Sequence, residues 1–263
     1  MKAYKNIQVL FSDGESREEG QDDLVLEEAL QIILNQREFL MTMRTPGADR
    51  YLIRGLMHSS DIETAGIVSY EEELLSQGSC ARVQIAEQVL WEERQLMATS
   101  SCGVCGERNL DKLYAGLRPV ERNFSFDPAM IPHCYGAMAE HQLLFEKTGG
   151  VHAAAAFRHD GTLLCVFEDI GRHNAVDKVI GYLLENSCLA EAAILAVSSR
   201  LSYEIVQKCI RAGLPVLLGI SAPSSLAVEM ARSFGLLMAA FCRGDKATFY
   251  AGEEGLKPME ILT

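Results

Sequence analysis

The sequence predicts an α/β protein with two unequal domains, and three observations lead to this fold class. The C-terminal half repeats an apolar strand-like run, a polar junction and a helix-like segment three times, which favours a largely parallel sheet covered by helices. The N-terminal part places strand-like runs around one segment with helical spacing, a pattern typical of a smaller α+β unit. Between them, residues 116–132 contain three prolines and predict a linker. We therefore expect a small domain at 1–126 and a larger domain at 127–263.

Local patterns predict the elements of the small domain. Residues 12–23 are polar and charged without periodicity, which predicts a loop. Two strand-like runs then flank Asn35 and Gln36, which predicts a hairpin turn at that dipeptide. The pattern predicts, in order, strands at 28–36 and 38–43, a helix at 49–58, an acidic segment at 69–77 and a strand at 81–88.

The large domain is predicted to begin with a helix and a hairpin. Residues 134–147 carry apolar side chains at helical spacing, and the runs 151–157 and 163–167 flank a turn at Asp160 and Gly161. Three strand-to-helix units follow, at 163–167 with 175–185, 192–197 with 202–212, and 215–220 with 226–234.

Polar junctions follow the strands of all three units. Ligands of open α/β sheets bind outside the carboxyl ends of the strands, and helix N-termini favour anions through unpaired N–H groups and the helix dipole. Arg172, His173, Arg200 and the 221–225 loop, which begins with Ser221, therefore predict a phosphate-binding edge. The alternative is that the junction serines only cap helices, and the coincidence of three junctions favours the ligand site. The sequence has neither a glycine-rich dinucleotide fingerprint nor a P-loop.

Two cysteines lie close together in a polar, glycine-rich stretch. Cys102 and Cys105 fall within residues 98–107. A structural zinc site needs four ligands, and the sequence has no second Cys-x-x-Cys and no His-x-x-x-His, so zinc is disfavoured. A thioredoxin-like redox pair would open a helix directly after a strand, which this context does not match. The remaining interpretations are a carrier thiol that accepts and passes on a sulfur atom, and two ordinary free cysteines.

Composition limits the function classes. The chain has 263 residues and a formal net charge of −12, which argues against sequence-independent nucleic-acid binding because such binding needs an excess of Lys and Arg. No apolar run reaches the length of a membrane span and the N-terminus lacks the pattern of a signal peptide, so we expect a cytosolic protein without a membrane segment. Its eight cysteines are then expected to be reduced thiols, and Cys165, Cys188 and Cys209 fit core positions.

His152 raises the question of metal chemistry. Zinc-dependent base deaminases use His-x-Glu followed later by Pro-Cys-x-x-Cys. Here Ala154 stands at the position of the Glu, and Pro223 is followed by Ser224. We therefore expect neither deaminase chemistry nor a bound metal.

Five segments together resemble the formate dehydrogenase accessory sulfurtransferase family (FdhD). They are 99–106 (TSSCGVCG), 148–154 (TGGVHAA), 168–178 (EDIGRHNAVDK), 198–200 (SSR) and 221–223 (SAP). The resemblance runs from about residue 28 to residue 250, and the 168–178 block is its most specific part. It implies that the large domain has three layers and is similar to the cytidine deaminase fold.

The resemblance also implies a function and the residues that perform it. It implies that a cysteine desulfurase supplies sulfur, and that the protein delivers it to the bis-molybdopterin guanine dinucleotide molybdenum cofactor as the sulfido ligand required by formate dehydrogenase. Cys102 would carry the persulfide, Cys105 would assist, and two copies would form a homodimer. The cofactor-binding segment of the family falls on Phe241, Cys242, Arg243, Gly244, Asp245 and Lys246, where the two cationic side chains suit a pyrophosphate.

Two alternatives from other functional classes stay open. One is a chaperone that binds the molybdenum cofactor without moving sulfur. The other is a thiol–disulfide oxidoreductase that uses Cys102 and Cys105 as its redox pair. Replacing Cys102 with Ala separates the carrier from the chaperone, because only the carrier needs that thiol.

Overall fold

The computed structural model describes residues 3–62, 67–76, 78–86, 114 and 116–258. These residues form a two-stranded ribbon, a four-stranded sheet and a six-stranded sheet with their helices. The first part contains β1 (Tyr4–Ser12), β2 (Arg17–Val25), β3 (Glu28–Leu34), β4 (Arg37–Arg44), α1 (Asp49–Ser59), β5 (Ile67–Leu75) and β6 (Gly78–Ile85). The second part contains α2 (Met130–Ala139), α3 (Leu143–Thr148), β7 (His152–Phe157), β8 (Leu163–Asp169), α4 (Arg172–Glu185), β9 (Ile194–Val197), α5 (Tyr203–Arg211), β10 (Val216–Gly219), α6 (Ser225–Ser233), β11 (Leu237–Arg243) and β12 (Lys246–Ala251). No helix in this described part has both the length and the apolarity needed to cross a membrane.

The prediction of a loop at residues 12–23 is wrong. Most of this range belongs to the antiparallel ribbon of β1 and β2, in which Ser12 pairs with Arg17 and Tyr4 pairs with Val25. Most ribbon side chains are exposed, so neither strand shows the apolar alternation of a half-buried strand. The acidic segment predicted at 69–77 likewise lies mostly in β5, an edge strand with little buried surface.

The small unit is the four-stranded sheet covered by α1. Its strand order is β4-β3-β6-β5, with β3 and β6 parallel and the two outer pairs antiparallel. The predicted hairpin turn is confirmed, because Asn35 and Gln36 have φ values of 45° and 68°, as a two-residue type I′ turn requires. The sheet and α1 share one apolar core, which includes Leu30, Ile32, Leu52, Ile53 and Met57.

The large unit is the six-stranded sheet between two helix layers. Its strand order is β12-β11-β10-β9-β7-β8, and β9, β10 and β11 are parallel neighbours. Helices α4, α5 and α6 contribute to the core on one face and α2 to the core on the other. The predicted α/β class with a three-layer large unit is confirmed. The sheet is less parallel than expected because β7 and β12 run against their neighbours.

Helices α1 and α4 join the two units at a close crossing. A Cβ at Gly55 would clash with the carbonyl oxygen of Asp177, and a Cβ at Gly181 would clash with that of Tyr51. Glycine at both positions lets the two helix backbones touch. Phe126, at the predicted domain boundary, is fully buried in the core of the large unit. The division of the chain at 126 and 127 stays a prediction.

Candidate functional site

The three polar junctions predicted from the sequence lie at one edge of the six-stranded sheet, which we call the carboxyl edge. β8, β9, β10 and β11 run in the same direction, so their carboxyl ends meet at this edge, where β7 begins. His152 at the start of β7 pairs with Asp169 at the end of β8, and its Nδ1 lies 3.5 Å from Ser198 Oγ. Phe241 N donates to Ser221 O at 3.4 Å. The three junctions and the C-terminal segment therefore lie side by side.

The junction serines divide between structural and candidate ligand roles. Ser224 is the N-cap of α6, since its Oγ accepts a hydrogen bond from Ala227 N at 3.3 Å. Ser198 Oγ accepts from Ala153 N at 2.9 Å and so fastens the end of β9 to β7. The capping alternative is therefore correct for Ser224, while Ser221 is half-buried at the edge and stays a candidate ligand residue.

Arg172 is the residue of the carboxyl edge that points most directly to an anionic ligand. It opens α4, and its Nε is buried without a hydrogen-bond partner among the described residues. A buried N–H group without an acceptor is costly, and phosphate or carboxylate oxygens are the acceptors that a guanidinium prefers. Arg200 and Arg243 are exposed on neighbouring junctions and add positive charge.

His173 is paired with an acid that the sequence patterns did not reveal. Its Nε2 lies 3.7 Å from Glu204 Oε2 and 3.4 Å from Ser202 Oγ. Burial opposes ionisation of Glu204, but hydrogen bonds from His173 and Ser202 outweigh it and lower the pKa of Glu204 to about 2. An ionised Glu204 therefore lies beside the His173 imidazole, and its negative charge means that the carboxyl edge is not uniformly positive.

His152 sits among these cations. Burial lowers its pKa, and the nearby charges of Arg172, His173 and Arg200 lower it further, so the imidazole is neutral at neutral pH. The side chains of Arg172, His173 and Arg200 therefore lie within electrostatic range of His152. Across the described ranges, no group of three or more His, Cys, Asp or Glu side chains could hold a metal ion.

The C-terminal segment presents its residues in alternate directions. Phe241 has a φ of 53° and is 44% exposed, while Cys242 is 2% exposed and belongs to the core that faces α2. Burial raises the pKa of Cys242 to about 11. The side chains of Arg243, Asp245 and Lys246 are exposed around the turn at Gly244, whereas the side chain of Cys242 lies beneath the edge. Cys242 can therefore meet a ligand only through its backbone.

Many side chains of the 168–178 block form hydrogen bonds with other parts of the chain and do not face solvent. Glu168 caps α3 by accepting hydrogen bonds from Leu144 N at 2.9 Å and Phe145 N at 2.7 Å. Asp177 is fully buried and accepts bonds from Lys208 Nζ at 2.7 Å and Ser59 Oγ at 2.7 Å. Of the side chains in this block, those of Arg172 and His173 are the ones that we assign to the carboxyl edge.

The thiol pair of the sequence pattern, Cys102 and Cys105, lies outside the described residues. The six cysteines within them are all reduced, and all but Cys188 are buried. Burial raises the pKa of Cys134 and of Cys165 to about 12, so both thiols stay protonated at neutral pH.

The chain is similar to the members of one known family and to a solved structure. It matches the model of the FdhD/NarQ family over residues 25–257. It is 37% identical to "Sulfur carrier protein FdhD" of Nocardia farcinica, over 99% of this chain and 97% of that protein. It is 40% identical to the protein of the same name in Mycolicibacterium paratuberculosis, over 87% of this chain and 90% of that protein. The fold is similar to the crystal structure of a protein assigned as a formate dehydrogenase accessory protein from Desulfotalea psychrophila, with a TM-score of 0.79, 22% identity and coverage of 97% of this chain and 100% of that chain. The family match and the two identities show that this chain belongs to the FdhD/NarQ family.

Proposed function

We propose that this protein is a sulfur carrier in the maturation of formate dehydrogenase. The observation that carries the proposal is the similarity, along nearly the whole chain, to proteins named as sulfur carriers. In the full proposal, a cysteine desulfurase supplies the sulfur, Cys102 carries it as a persulfide with Cys105 assisting, and the bis-molybdopterin guanine dinucleotide molybdenum cofactor receives it. The cofactor is a substrate in this scheme and not a resident group.

The environments of the other cysteines support Cys102 and Cys105 as the reactive pair. The thiolate is the nucleophile in sulfur transfer, so a carrier cysteine must be exposed and able to ionise. Six of the eight cysteines lie in the described residues, and five of these are buried. Burial raises the pKa of Cys188 as well, the one that is half-buried. None of the six is suited to receive sulfur from another protein.

The proposed loading step is an exchange between a thiolate and a persulfide. The Cys102 thiolate attacks the terminal sulfur of the donor's persulfide, and a new S–S bond forms at Cys102. The S–S bond of the donor breaks at the same time, and the donor cysteine leaves as a thiolate. The terminal sulfur moves with its proton, so the step needs no external oxidant or reductant.

The carboxyl edge supports the second half of the proposal because it fits the anionic part of the substrate. Phosphate oxygens would satisfy the buried Arg172 Nε, which has no partner among the described residues. Arg200, Arg243 and Lys246 are exposed nearby and would add charge-assisted hydrogen bonds. A homodimer would present two such edges to the two dinucleotides. Holding the substrate beside the loaded thiol turns a bimolecular transfer into an effectively unimolecular one.

Intact-mass spectrometry after incubation with a cysteine desulfurase and cysteine, without added thiol, tests the loading step. We expect one added sulfur atom that dithiothreitol removes and that peptide mapping places on Cys102. The Cys102→Ala variant should gain none, and Cys188→Ala serves as the matched control that loads like the wild type. Because Cys188 is half-buried with a raised pKa, its loss should not matter.

Formate dehydrogenase activation separates the carrier from the cofactor-binding chaperone. A carrier loses activation in Cys102→Ala and keeps it in Cys188→Ala. Absence of added sulfur on Cys102 and Cys105 with an active desulfurase, combined with full activation by Cys102→Ala, would refute the carrier role and favour the chaperone.

A further inference from the structure

Thr45 connects the small unit to the carboxyl edge of the large unit. It follows β4 directly and is 2% exposed. All three of its polar groups bind the large unit: its N–H donates to Asp169 Oδ2 at 3.2 Å, its Oγ1 accepts from Ile170 N at 3.0 Å, and its carbonyl oxygen accepts from Lys178 Nζ at 3.0 Å. A single residue of the small unit therefore holds both the loop before α4 and the second turn of that helix.

The small unit holds Thr45 firmly in place. The preceding residue, Arg44, is 1% exposed and forms two hydrogen bonds with Asp49, at 3.0 Å and 2.8 Å. Its guanidinium also donates to Ser79 Oγ at 2.7 Å. These charge-assisted bonds tie the end of β4 to α1 and β6, so Thr45 is presented from a rigid base.

The contacts of Thr45 end next to the ligand-facing residues. Asp169 links Thr45 to the start of α4, since its Oδ1 accepts hydrogen bonds from Gly171 N at 2.8 Å and from Asn174 Nδ2 at 3.1 Å. Arg172 and His173 lie between these two donors in the chain. Their backbone is thus fixed on both sides by one buried carboxylate, which itself is held by Thr45.

We propose that Thr45 is a positioning residue for the carboxyl edge: it sets the loop of residues 169–173 so that Arg172 and His173 face an anionic ligand. Thr45 does not touch the ligand and acts through Asp169 and Ile170. The inference rests on the proposed function, because the anionic ligand is the guanine dinucleotide part of the proposed substrate. In metal sites, removing a side chain that holds a ligand residue from behind typically lowers affinity by about tenfold or more, and we expect an effect of that order here.

The test compares three variants by calorimetric binding of guanosine diphosphate, which carries the guanine and pyrophosphate chemistry of the proposed substrate. Thr45→Val keeps the shape but removes the hydroxyl, and we expect about a tenfold rise in Kd. Thr45→Ser restores the hydroxyl and should return the Kd to near the wild-type value. Ser59→Ala is the matched control: it also removes a hydroxyl that joins the units, at 2.7 Å from Asp177 Oδ1, but away from the 169–173 loop. It should lower the melting temperature and leave the Kd unchanged.

A second readout does not depend on any ligand. The imidazole NMR signals of His173 report its position against Glu204, so Thr45→Val should shift them while Ser59→Ala should not. An unchanged Kd and unchanged His173 signals in a less stable Thr45→Val protein would overturn the proposal and leave Thr45 a purely structural role. If the wild type binds guanosine diphosphate no better than Arg172→Gln does, the phosphate edge of the proposed function fails, and the His173 signals alone then decide the positioning role.

Discussion

Replacing Lys178 with methionine tests how much one buried ion pair of the large unit, to which Thr45 of the small unit binds, stabilises the protein. Lys178 is 2% exposed, Asp169 is fully buried, and their Nζ and Oδ2 atoms are 2.7 Å apart. The same Nζ donates to the carbonyl oxygens of Thr45 at 3.0 Å and Glu168 at 3.2 Å. Methionine is similarly long and unbranched, so the substitution removes the charge and the donors with little change in packing.

The expected magnitude follows from what remains after the substitution. Removing one partner of a buried pair costs about 3–5 kcal/mol, because the other charge is left uncompensated. Asp169 keeps the N–H donors of Gly171 at 2.8 Å and Thr45 at 3.2 Å, which offset part of this loss. We therefore expect the free energy of unfolding to fall by about 3 kcal/mol, at the lower end of that range.

Urea unfolding followed by circular dichroism measures this loss, with Asp169→Asn/Lys178→Met as the control. The double variant leaves no unpaired charge and should regain part of the stability. Burial raises the pKa of Asp169, and loss of the ammonium raises it further. A carboxyl with a raised folded-state pKa loses stability as the pH rises, so the deficit of Lys178→Met should be larger at roughly pH 8 than at pH 5. A loss below about 1 kcal/mol, or a deficit independent of pH, would refute this reasoning.

Substitutions at three other features give further predictions. Gly55→Ala should lower the free energy of unfolding by at least about 2 kcal/mol, because its Cβ would meet the Asp177 carbonyl. The control, Gly136→Ala, lies at a helical site with open space and should raise the free energy of unfolding by about 0.5–1 kcal/mol. Calorimetry on both variants checks the contrast. Burial lowers the pKa of His58, whose Nε2 has no hydrogen-bond partner in the described part of the chain, so stability should fall as the pH drops below about 6.5. His58→Gln should flatten that fall in melting temperature, and an equally steep fall would contradict the assignment. Ser224→Ala removes the N-cap of α6 and should cost about 1 kcal/mol in thermal unfolding, a result that an unchanged melting temperature would rule out.

The sequence was informative wherever an element buries one face. Helix α1 and the helices of the three strand-to-helix units were predicted because their apolar residues recur with the helical period. The strands of those units were predicted as short apolar runs that end at polar junctions, and β9 and β10 are buried at every residue. The ribbon of β1 and β2 was missed because it buries little on either side, so no period is imposed on its sequence. Periodicity detects burial, and regular structure without burial escapes it.

The sequence predicted which residues lie at the candidate site, but not the buried contacts that hold those residues in place. Arg172, His173 and Arg200 could be placed at one edge because polar junctions after parallel strands meet there. The role of Thr45 could not be predicted, since its bond to Asp169 joins residues 124 positions apart in the sequence. No local pattern records such a contact. The inward direction of Cys242 was equally hidden, because it depends on which face of β11 packs on α2.

The path of the chain explains why the junction between the units matters for the proposed chemistry. The chain leaves the small unit after β6, which ends at Ile85, and passes through the range that contains Cys102. It contacts the large unit at Tyr114, whose ring stacks on that of Phe234 with centroids 6.0 Å apart. The thiol pair is therefore tethered to both units, and the distance between its two anchors is set by how they pack. The Gly55 crossing and the Thr45 contacts fix that packing. A tether raises the effective concentration of a thiol at a site only when its anchors keep the site within reach. Under the proposed function, mutations that loosen the junction should therefore slow delivery of sulfur while leaving its loading on Cys102 intact.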